Sequence, residues 1–297
     1  MIEITHCDLC GSSEYSPFLR RIDRVSGQEF LLVQCRACGL IYLRNRPSPE
    51  TIASFYPEDY ECFTRAGETS SGLQSWHQRR AMNMRLDFIE KYAGNPGILL
   101  DIGCGTGDFL VSARNRGWQV KGIELVERAA QIAREVNGLD VLTGSIENLA
   151  GHPERYRVIT LWDVLEHLPS PRSAFQLIHE LLQEDGLLVF SIPNLTSFDR
   201  YLFSASWIGW DVPRHFFLFN KENIQQLCEL SGFKIIEDKT FIGGKGTFQL
   251  SLIQRFPSQK KIVLAADPFL SMLLYPYRQI SYALHRGPIS VYVLTKR

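Results

Sequence analysis

The run Leu99-Leu100-Asp101-Ile102-Gly103-Cys104-Gly105-Thr106-Gly107-Asp108-Phe109-Leu110 restricts the fold more than any other stretch of the chain. It reads as a short apolar strand that enters a glycine-rich turn and leaves it as a helix. Glycines at alternate positions let the backbone turn tightly and approach a ligand, while the start of the helix offers unpaired N–H donors. A nucleoside, or the carboxylate tail of one, suits such a turn. A dinucleotide fingerprint would require glycine at 108, where this chain has Asp, so the spacing is GxGxG. Glu124 closes the next expected strand, where a carboxylate can accept both hydroxyls of a ribose.

From residue 96 onward, apolar runs alternate with helix-periodic segments, which implies βαβ units and a parallel sheet. Expected strands cover 98–102, 119–124, 140–142, 157–162, 187–192, 233–242 and 290–295. Expected helices cover 108–116, stopped by Gly117, and 127–137, ended by Gly138. A third is opened by Ser170 and Pro171 and stopped by Gly186; a fourth runs from the Asn220 cap to 230, ended by Gly232. Upstream, 76–92 carries Met84, Phe88 and Ile89 at helical spacing, whereas 30–33 and 40–43 look β-like. The stretch 255–284 is apolar but broken by Pro257, Pro268 and Pro276. It reads as an irregular helical insert, buried or facing a second copy rather than a membrane, because its cationic content is low. The 297 residues then divide into a small module over 1–46, a linker and helical segment at 47–95 on the substrate side, and an α/β domain over 96–297 containing the insert.

Seven cysteines stand at 7, 10, 35, 38, 62, 104 and 228. An odd number arranged as two CxxC pairs and three singletons is metal arithmetic rather than a disulfide framework. Each pair is followed by glycine, and two knuckles make a four-thiolate site for structural zinc from Cys7, Cys10, Cys35 and Cys38. So small a region cannot bury enough apolar surface to fold well alone, and ligation of the metal supplies the shortfall, of order 10 kcal/mol. Residues 1–46 carry six arginines against five acidic residues, so with four thiolates around one dication the module is a near-neutral scaffold rather than a nucleic-acid grip. His6 is a bystander, and Cys104 a small packing residue rather than a nucleophile.

The segment DIGCGTG, followed by a strand ending in glutamate, resembles the first motif of class I S-adenosylmethionine-dependent methyltransferases. The likeness continues through LWDVLEHLPSP after the fourth strand, QEDGLLVFSIPN into the fifth and SGFKI into the sixth. It implies a Rossmann-like sheet, parallel with an antiparallel last strand, preceded by the small zinc ribbon. It also implies S-adenosylmethionine as cofactor. Asp101 and the backbone of Gly103, Cys104, Gly105 and Gly107 would hold the methionine moiety, and Glu124 the ribose. Ser145 and Ile146 would flank the adenine, Ser145 standing where many members have Asp; Asp163 would line the site near the sulfonium. A four-cysteine module, then the Phe-Tyr-Pro-Glu-Asp-Tyr stretch at 55–60, then such a domain is similar to bacterial zinc-containing methyltransferases that include sugar C-methyltransferases. That likeness would put Tyr60 near the acceptor. The Glu-His pair those enzymes carry after the fifth strand is replaced here by Pro213-Arg214-His215.

In open α/β sheets ligands bind beyond the carboxyl ends of the strands, so the loops after the fourth and fifth strands should meet the acceptor. The first supplies Glu166 and His167, the second Trp207, Trp210, Asp211, Arg214 and His215. Methyl transfer is an in-line displacement that requires alignment and, for a hydroxyl or carbon acid, removal of a proton. A histidine suits that role, which makes His215, His167, Glu166 and Tyr60 the catalytic candidates. The two tryptophans would either pack a lid or stack on a sugar; Arg214 would hold an acceptor phosphate or carboxylate, or pair with Asp211. The expected partner is a small-molecule acceptor, a saccharide carried on a nucleotide or a lipid. Lys plus Arg equals Asp plus Glu at 32 each, which argues against a nucleic-acid partner. The competing readings are an RNA methyltransferase that uses the ribbon for RNA contact, and a nucleoside-binding module without chemistry. No apolar run reaches the ~18 residues of a membrane span and the start lacks secretory-signal features, so the expected compartment is the cytoplasm, with peripheral membrane contact left open.

Overall fold

The computed structural model describes residues 1–48, 51–56 and 72–297. The chain opens with five short strands, β1 (Ile2–Glu3), β2 (Tyr15–Ile22), β3 (Glu29–Cys35), β4 (Ile41–Leu43) and β5 (Asn45–Arg46). β2 went unread in the sequence for a physical reason. It is an edge strand whose alternation is interrupted by a register shift between Pro17 and Leu19, and proline is tolerated only at such an edge or bulge.

A helix, α1 (Gly72–Ala93), leads into the alternating part: β6 (Ile98–Ile102), α2 (Asp108–Arg114), β7 (Gln119–Glu124), α3 (Glu127–Glu135), β8 (Asp140–Thr143), β9 (Tyr156–Trp162), α4 (Pro171–Leu181) and β10 (Leu182–Pro193). Then come α5 (Phe198–Phe203), β11 (Phe217–Leu218), α6 (Lys221–Leu230), β12 (Phe233–Lys239), α7 (Gly244–Arg255), α8 (Lys260–Ala265), α9 (Asp267–Ala283) and β13 (Ile289–Lys296). Seven strands form one sheet in the order β12-β13-β10-β9-β6-β7-β8. The five from β10 to β8 run parallel, and β13 is antiparallel to both its neighbours, as expected. Consecutive residues serve opposite faces: Leu99, Val158 and Val189 pack with α1 and α2, whereas Leu100, Ile159 and Phe190 pack toward α4 and the N-terminal sheet.

Ser170 caps α4 and Asn220 caps α6 through a capping box, as the sequence indicates. Gly186 does not stop α4. The helix passes directly into β10 at Leu182, and Gly186 lies where a Cβ would meet the carbonyl oxygens of Gln183 and Tyr156 at 2.9 and 3.0 Å. Close backbone approach across an irregular strand start is what requires glycine there.

The N-terminal sheet has the order β11-β4-β3-β2, so two of its residues come from far along the chain. Further ties fasten it. Asp8 accepts hydrogen bonds from the Ser170 hydroxyl and the Arg172 N–H at the start of α4 (2.7 and 3.1 Å), and Asn223 of α6 donates to the Cys38 carbonyl (2.8 Å). The insert is helical, as expected, but it is not buried. Phe269, Met272 and Leu273 are each close to 70% exposed, because α9 is apolar on the side facing away from the protein as well as on the side facing it.

Candidate active site and metal centre

β6 is where the sheet order turns, with β7 on one side and β9 on the other, and the crevice beyond its carboxyl end is framed by the glycine turn. Gly103, Gly105 and Gly107 all have positive φ (71°, 55° and 85°). A Cβ on Gly103 would come within 2.6 Å of Val164, and one on Gly107 within 2.3 Å of Leu139. Side chains are therefore excluded there by both conformation and space. Cys104 is buried, its sulfur beneath the turn where a Cβ on Gly122 would strike it at 2.6 Å.

Three carboxylates border this crevice. Glu124 accepts from the Gly105 and Val126 N–H groups (2.8 and 2.9 Å); burial raises its pKa against the pull of those amides. Asp101 accepts from the Thr160 hydroxyl at 2.6 Å, and burial pushes its carboxyl up to about 7 despite Arg85 nearby. Asp163, at φ 57°, is held by a reciprocal clasp: its N–H donates to the Ser191 hydroxyl oxygen, and that hydroxyl donates back to its carboxylate, both at 2.8 Å. Gly144 donates its N–H to the Glu124 carbonyl, which places the adjoining exposed Ser145 and buried Ile146 beside the end of β7.

Arg85 was missed in the sequence. Its guanidinium lies 4.6 Å from the Trp162 ring centroid and 3.6 Å from the Asp163 carboxylate. The signal was present, since Arg85 is a lone charge on the inward stripe formed by Met82, Leu86 and Ile89 of α1. A crevice with three acids around one arginine suits a cationic ligand.

Beyond β9 and β10 lie Glu166, His167 and His215, which the fold brings together: one carboxylate oxygen and one ring nitrogen from each histidine lie within 4.8 Å of one another. The two rings meet edge to face, 4.8 Å between centroids. His167 Nδ1 donates to the Arg214 carbonyl and His215 Nδ1 to the Gly209 carbonyl, both at 2.9 Å. A carbonyl only accepts, so each neutral ring carries its lone pair on Nε2. Burial lowers both pKa values, that of His167 to about 3, with the neighbouring ring adding to it. Glu166 is buried, and its pKa is raised well above the ordinary value by burial and by Asp163. Among the described residues its Oε2 finds no hydrogen-bond partner.

Arg214 is engaged within the protein. It forms a two-pronged pair with Asp211 (2.8 and 2.5 Å) and reaches Asp23 of the N-terminal hairpin at 3.1 Å and the Phe55 carbonyl at 2.6 Å. Asp23 is 1% exposed; nothing in its local sequence signals this role, because its partner is 191 residues away. Trp207 and Trp210 are buried against each other, edge to face, which is lid packing rather than an open stacking platform. Tyr60 lies outside the described residues.

The cysteine knuckles match each other bond for bond. Gly11 N–H donates to the Cys7 carbonyl and Gly39 N–H to the Cys35 carbonyl (2.8 and 3.0 Å), each glycine at φ 75°. Cys7 Sγ lies 3.6 Å from Cys38 Sγ, and Cys10 Sγ 3.5 Å from Cys35 Sγ; all four sulfurs fall within 4.8 Å and none is bridged. Tetrahedral zinc with ~2.3 Å bonds spaces its sulfurs at about 3.8 Å, so the donor set fits a thiolate-bound dication. Burial holds the Cys7 and Cys38 thiols protonated in the absence of such a charge.

A family profile described as "Methyltransferase domain" matches residues 75–238. The "Ubiquinone biosynthesis O-methyltransferase" of Azoarcus sp. (strain BH72) is 36% identical over 129 residues, 41% of this chain and 55% of that protein. Its namesake from Actinobacillus pleuropneumoniae serotype 5b (strain L20) is 37% identical over 178 residues, 53% of this chain and 75% of that one. The chain thus spans from about half to three quarters of these relatives. Among solved structures, a SAM-dependent methyltransferase from Archaeoglobus fulgidus superposes with a TM-score of 0.51 at 21% identity, covering 74% of this chain and 94% of its own. Magnesium protoporphyrin IX methyltransferase from Synechocystis with bound SAH gives 0.50 at 13%, covering 80% and 91%. These two likenesses concern the fold.

Proposed function

The chain belongs to the methyltransferase-domain family, and from that premise we propose that it moves the methyl group of S-adenosylmethionine to a hydroxyl of a small acceptor by in-line displacement. The observation that carries this reading is the juxtaposition, beyond the carboxyl ends of adjacent strands, of an acidic crevice with the pair His167–His215. The crevice residues fit the cofactor. Glu124 would take the ribose hydroxyls, Asp101 and the 103–107 backbone the methionine end, Ser145 and Ile146 the adenine side, with Asp163 and Arg85 near the sulfonium. When bound, the cofactor supplies an electrophilic methyl.

The chain's own contribution is to orient the acceptor and remove its proton. His215 Nε2 is the preferred base and His167 the alternative, both neutral at pH 7 because they are buried. Glu166, whose proton affinity burial and Asp163 raise, is the candidate donor to an acceptor oxygen, and Tyr60 is a candidate on the sequence likeness alone. In this reading the four cysteines hold a structural zinc, which completes the ribbon and takes no part in transfer. The module over 1–46 then acts as scaffold to the segment 47–95 and the domain 96–297, in a cytoplasmic enzyme.

For the acceptor, the saccharide reading rests on the arrangement of ribbon and domain. The names of the relatives favour a second one, an acceptor within ubiquinone biosynthesis. A screen with radiolabelled methyl donor separates them: nucleotide sugars, lipid-linked saccharides, ubiquinone-pathway hydroxyls and RNA are offered in parallel. Label on RNA alone, or on nothing while the cofactor still binds, overturns the proposal.

A further inference from the structure

Helix α9 presents two apolar faces. Its inward stripe, Leu274, Tyr277 and Ser281, packs on the protein, while Phe269, Met272, Leu273, Pro276, Ile280 and Leu284 recur at helical spacing on the opposite side and are exposed. Phe269 is 70% exposed, and Met272 and Leu273 69% each. A surface helix ordinarily carries one apolar stripe; α9 carries two, separated by a flank with Arg278 and Gln279, and the described chain covers only one of them.

We propose that α8 and α9 form a docking surface for an anionic lipid bilayer, with the outward stripe of α9 laid into the headgroup boundary. The balance of charge, rather than the number of cations, which is low, names this occupant and overturns the expectation drawn from composition. In a chain of zero net charge, residues 255–284 carry Arg255, Lys260, Lys261 and Arg278 against Asp267 alone, and the first three are exposed where the chain enters the helices. Cations beside an apolar stripe are the pattern of interfacial helices. The stripe also lacks the donors and acceptors that a protein partner would use, about one hydrogen bond per 100–200 Å² of interface. At 17 residues, about 25 Å, with Arg278 inside it, α9 lies along a surface and does not cross it.

The surface connects to the acceptor side of the protein through α7. Ser251 of α7 accepts the Ile208 N–H (3.0 Å) beside Trp210, and Thr247 of α7 and Tyr277 of α9 both donate to buried Asp199 (3.2 and 2.5 Å). If the transfer reading holds, the acceptor it selects is one carried at a membrane surface. That step rests on the proposed function; the docking does not.

Co-sedimentation of the full, zinc-replete chain with vesicles tests it without cofactor or acceptor. Vesicles of equal parts phosphatidylcholine and phosphatidylglycerol should retain the protein, and pure phosphatidylcholine should hold it at least tenfold less well. Met272→Asp with Leu273→Asp should weaken binding at least tenfold, and Lys260→Glu with Lys261→Glu should abolish the preference for anionic vesicles, with circular dichroism and S-adenosylhomocysteine affinity unchanged. Absence of sedimentation with either vesicle overturns the proposal, as does retention by the apolar double variant at parental strength. A parent that ignores vesicles but forms a dimer, which the same variant dissociates, assigns the stripe to a second copy and overturns it equally.

Discussion

The crevice proposed for the cofactor and the shelf proposed for the acceptor adjoin, yet they are built in opposite ways. The crevice comes mostly from one stretch of chain: strand, glycine turn, helix start and the Glu124 carboxylate one strand later, joined by backbone bonds such as Gly105 N–H to Glu124. The shelf is assembled from distant pieces. His167 takes its orientation from the carbonyl of Arg214, and Arg214 in turn is held by Asp23 of the N-terminal hairpin and by the Phe55 carbonyl. A locally encoded site tolerates change elsewhere; a site pinned by remote contacts inherits the stability of everything it touches.

That contrast can be broken by experiment. The largest effect is expected from the metal. Chelation of the proposed zinc removes a ligation free energy of order 10 kcal/mol and Cys35→Ser a part of it; either should melt the ribbon and collapse turnover, while S-adenosylhomocysteine still binds to whatever retains the parallel sheet. Equal loss of cofactor binding at partial unfolding would erase the distinction between the two sites. Metal analysis should find about one zinc per chain. Next, Arg214→Ala leaves buried Asp23 without its cation, held only by the Ser26 N–H and hydroxyl, and breaking such a buried pair typically costs about 3–5 kcal/mol, read by thermal unfolding; an unaltered melting temperature would deny the bridge its importance.

His215→Ala should lower turnover about 10²–10⁴-fold with cofactor affinity within a factor of two, whereas Glu124→Ala should weaken cofactor binding by about 1–3 kcal/mol through lost charged hydrogen bonds. Calorimetry beside initial rates checks that separation, and variants that move both readouts together would merge the sites. The smallest effects concern pH. Because burial holds His167 at about 3 and His215 below its ordinary value, the acid limb of the turnover profile should lie below the ordinary histidine value rather than at it. The stability these neutral rings contribute is present above their unfolded pKa and lost as pH falls through the folded one. Asp101 has the opposite sign. With its carboxyl raised to about 7, its contribution is complete below the ordinary aspartate value and disappears as pH rises through 7, so Asp101→Asn should raise the melting temperature of the cofactor-free protein at pH 8 while weakening the cofactor.

What could be read from the sequence follows the same division. The GxGxG turn, the Ser170 and Asn220 caps and the paired CxxC knuckles are short-range patterns whose physics is complete within a few residues. Gly186 misled because a glycine after a helix resembles a stop signal even where a strand crossing requires it. For the outward stripe of α9 the sequence leaves a buried insert and a face toward a second copy both open, because apolarity alone does not tell inside from outside. Asp23 carried no local signal at all, and Arg85 carried one only as a charge on an apolar stripe.

The pairing of β4 with β11 bears on how the chain emerges during synthesis. Residues 41–43 leave the ribosome early, but their sheet neighbour, Phe217–Leu218, is not made until roughly 10–35 s later at ~5–20 residues per second. Through that interval a short apolar strand edge stays open to pairing with foreign chains. Early capture of a dication by the knuckles would shorten the period in which a nascent ribbon is free to go astray.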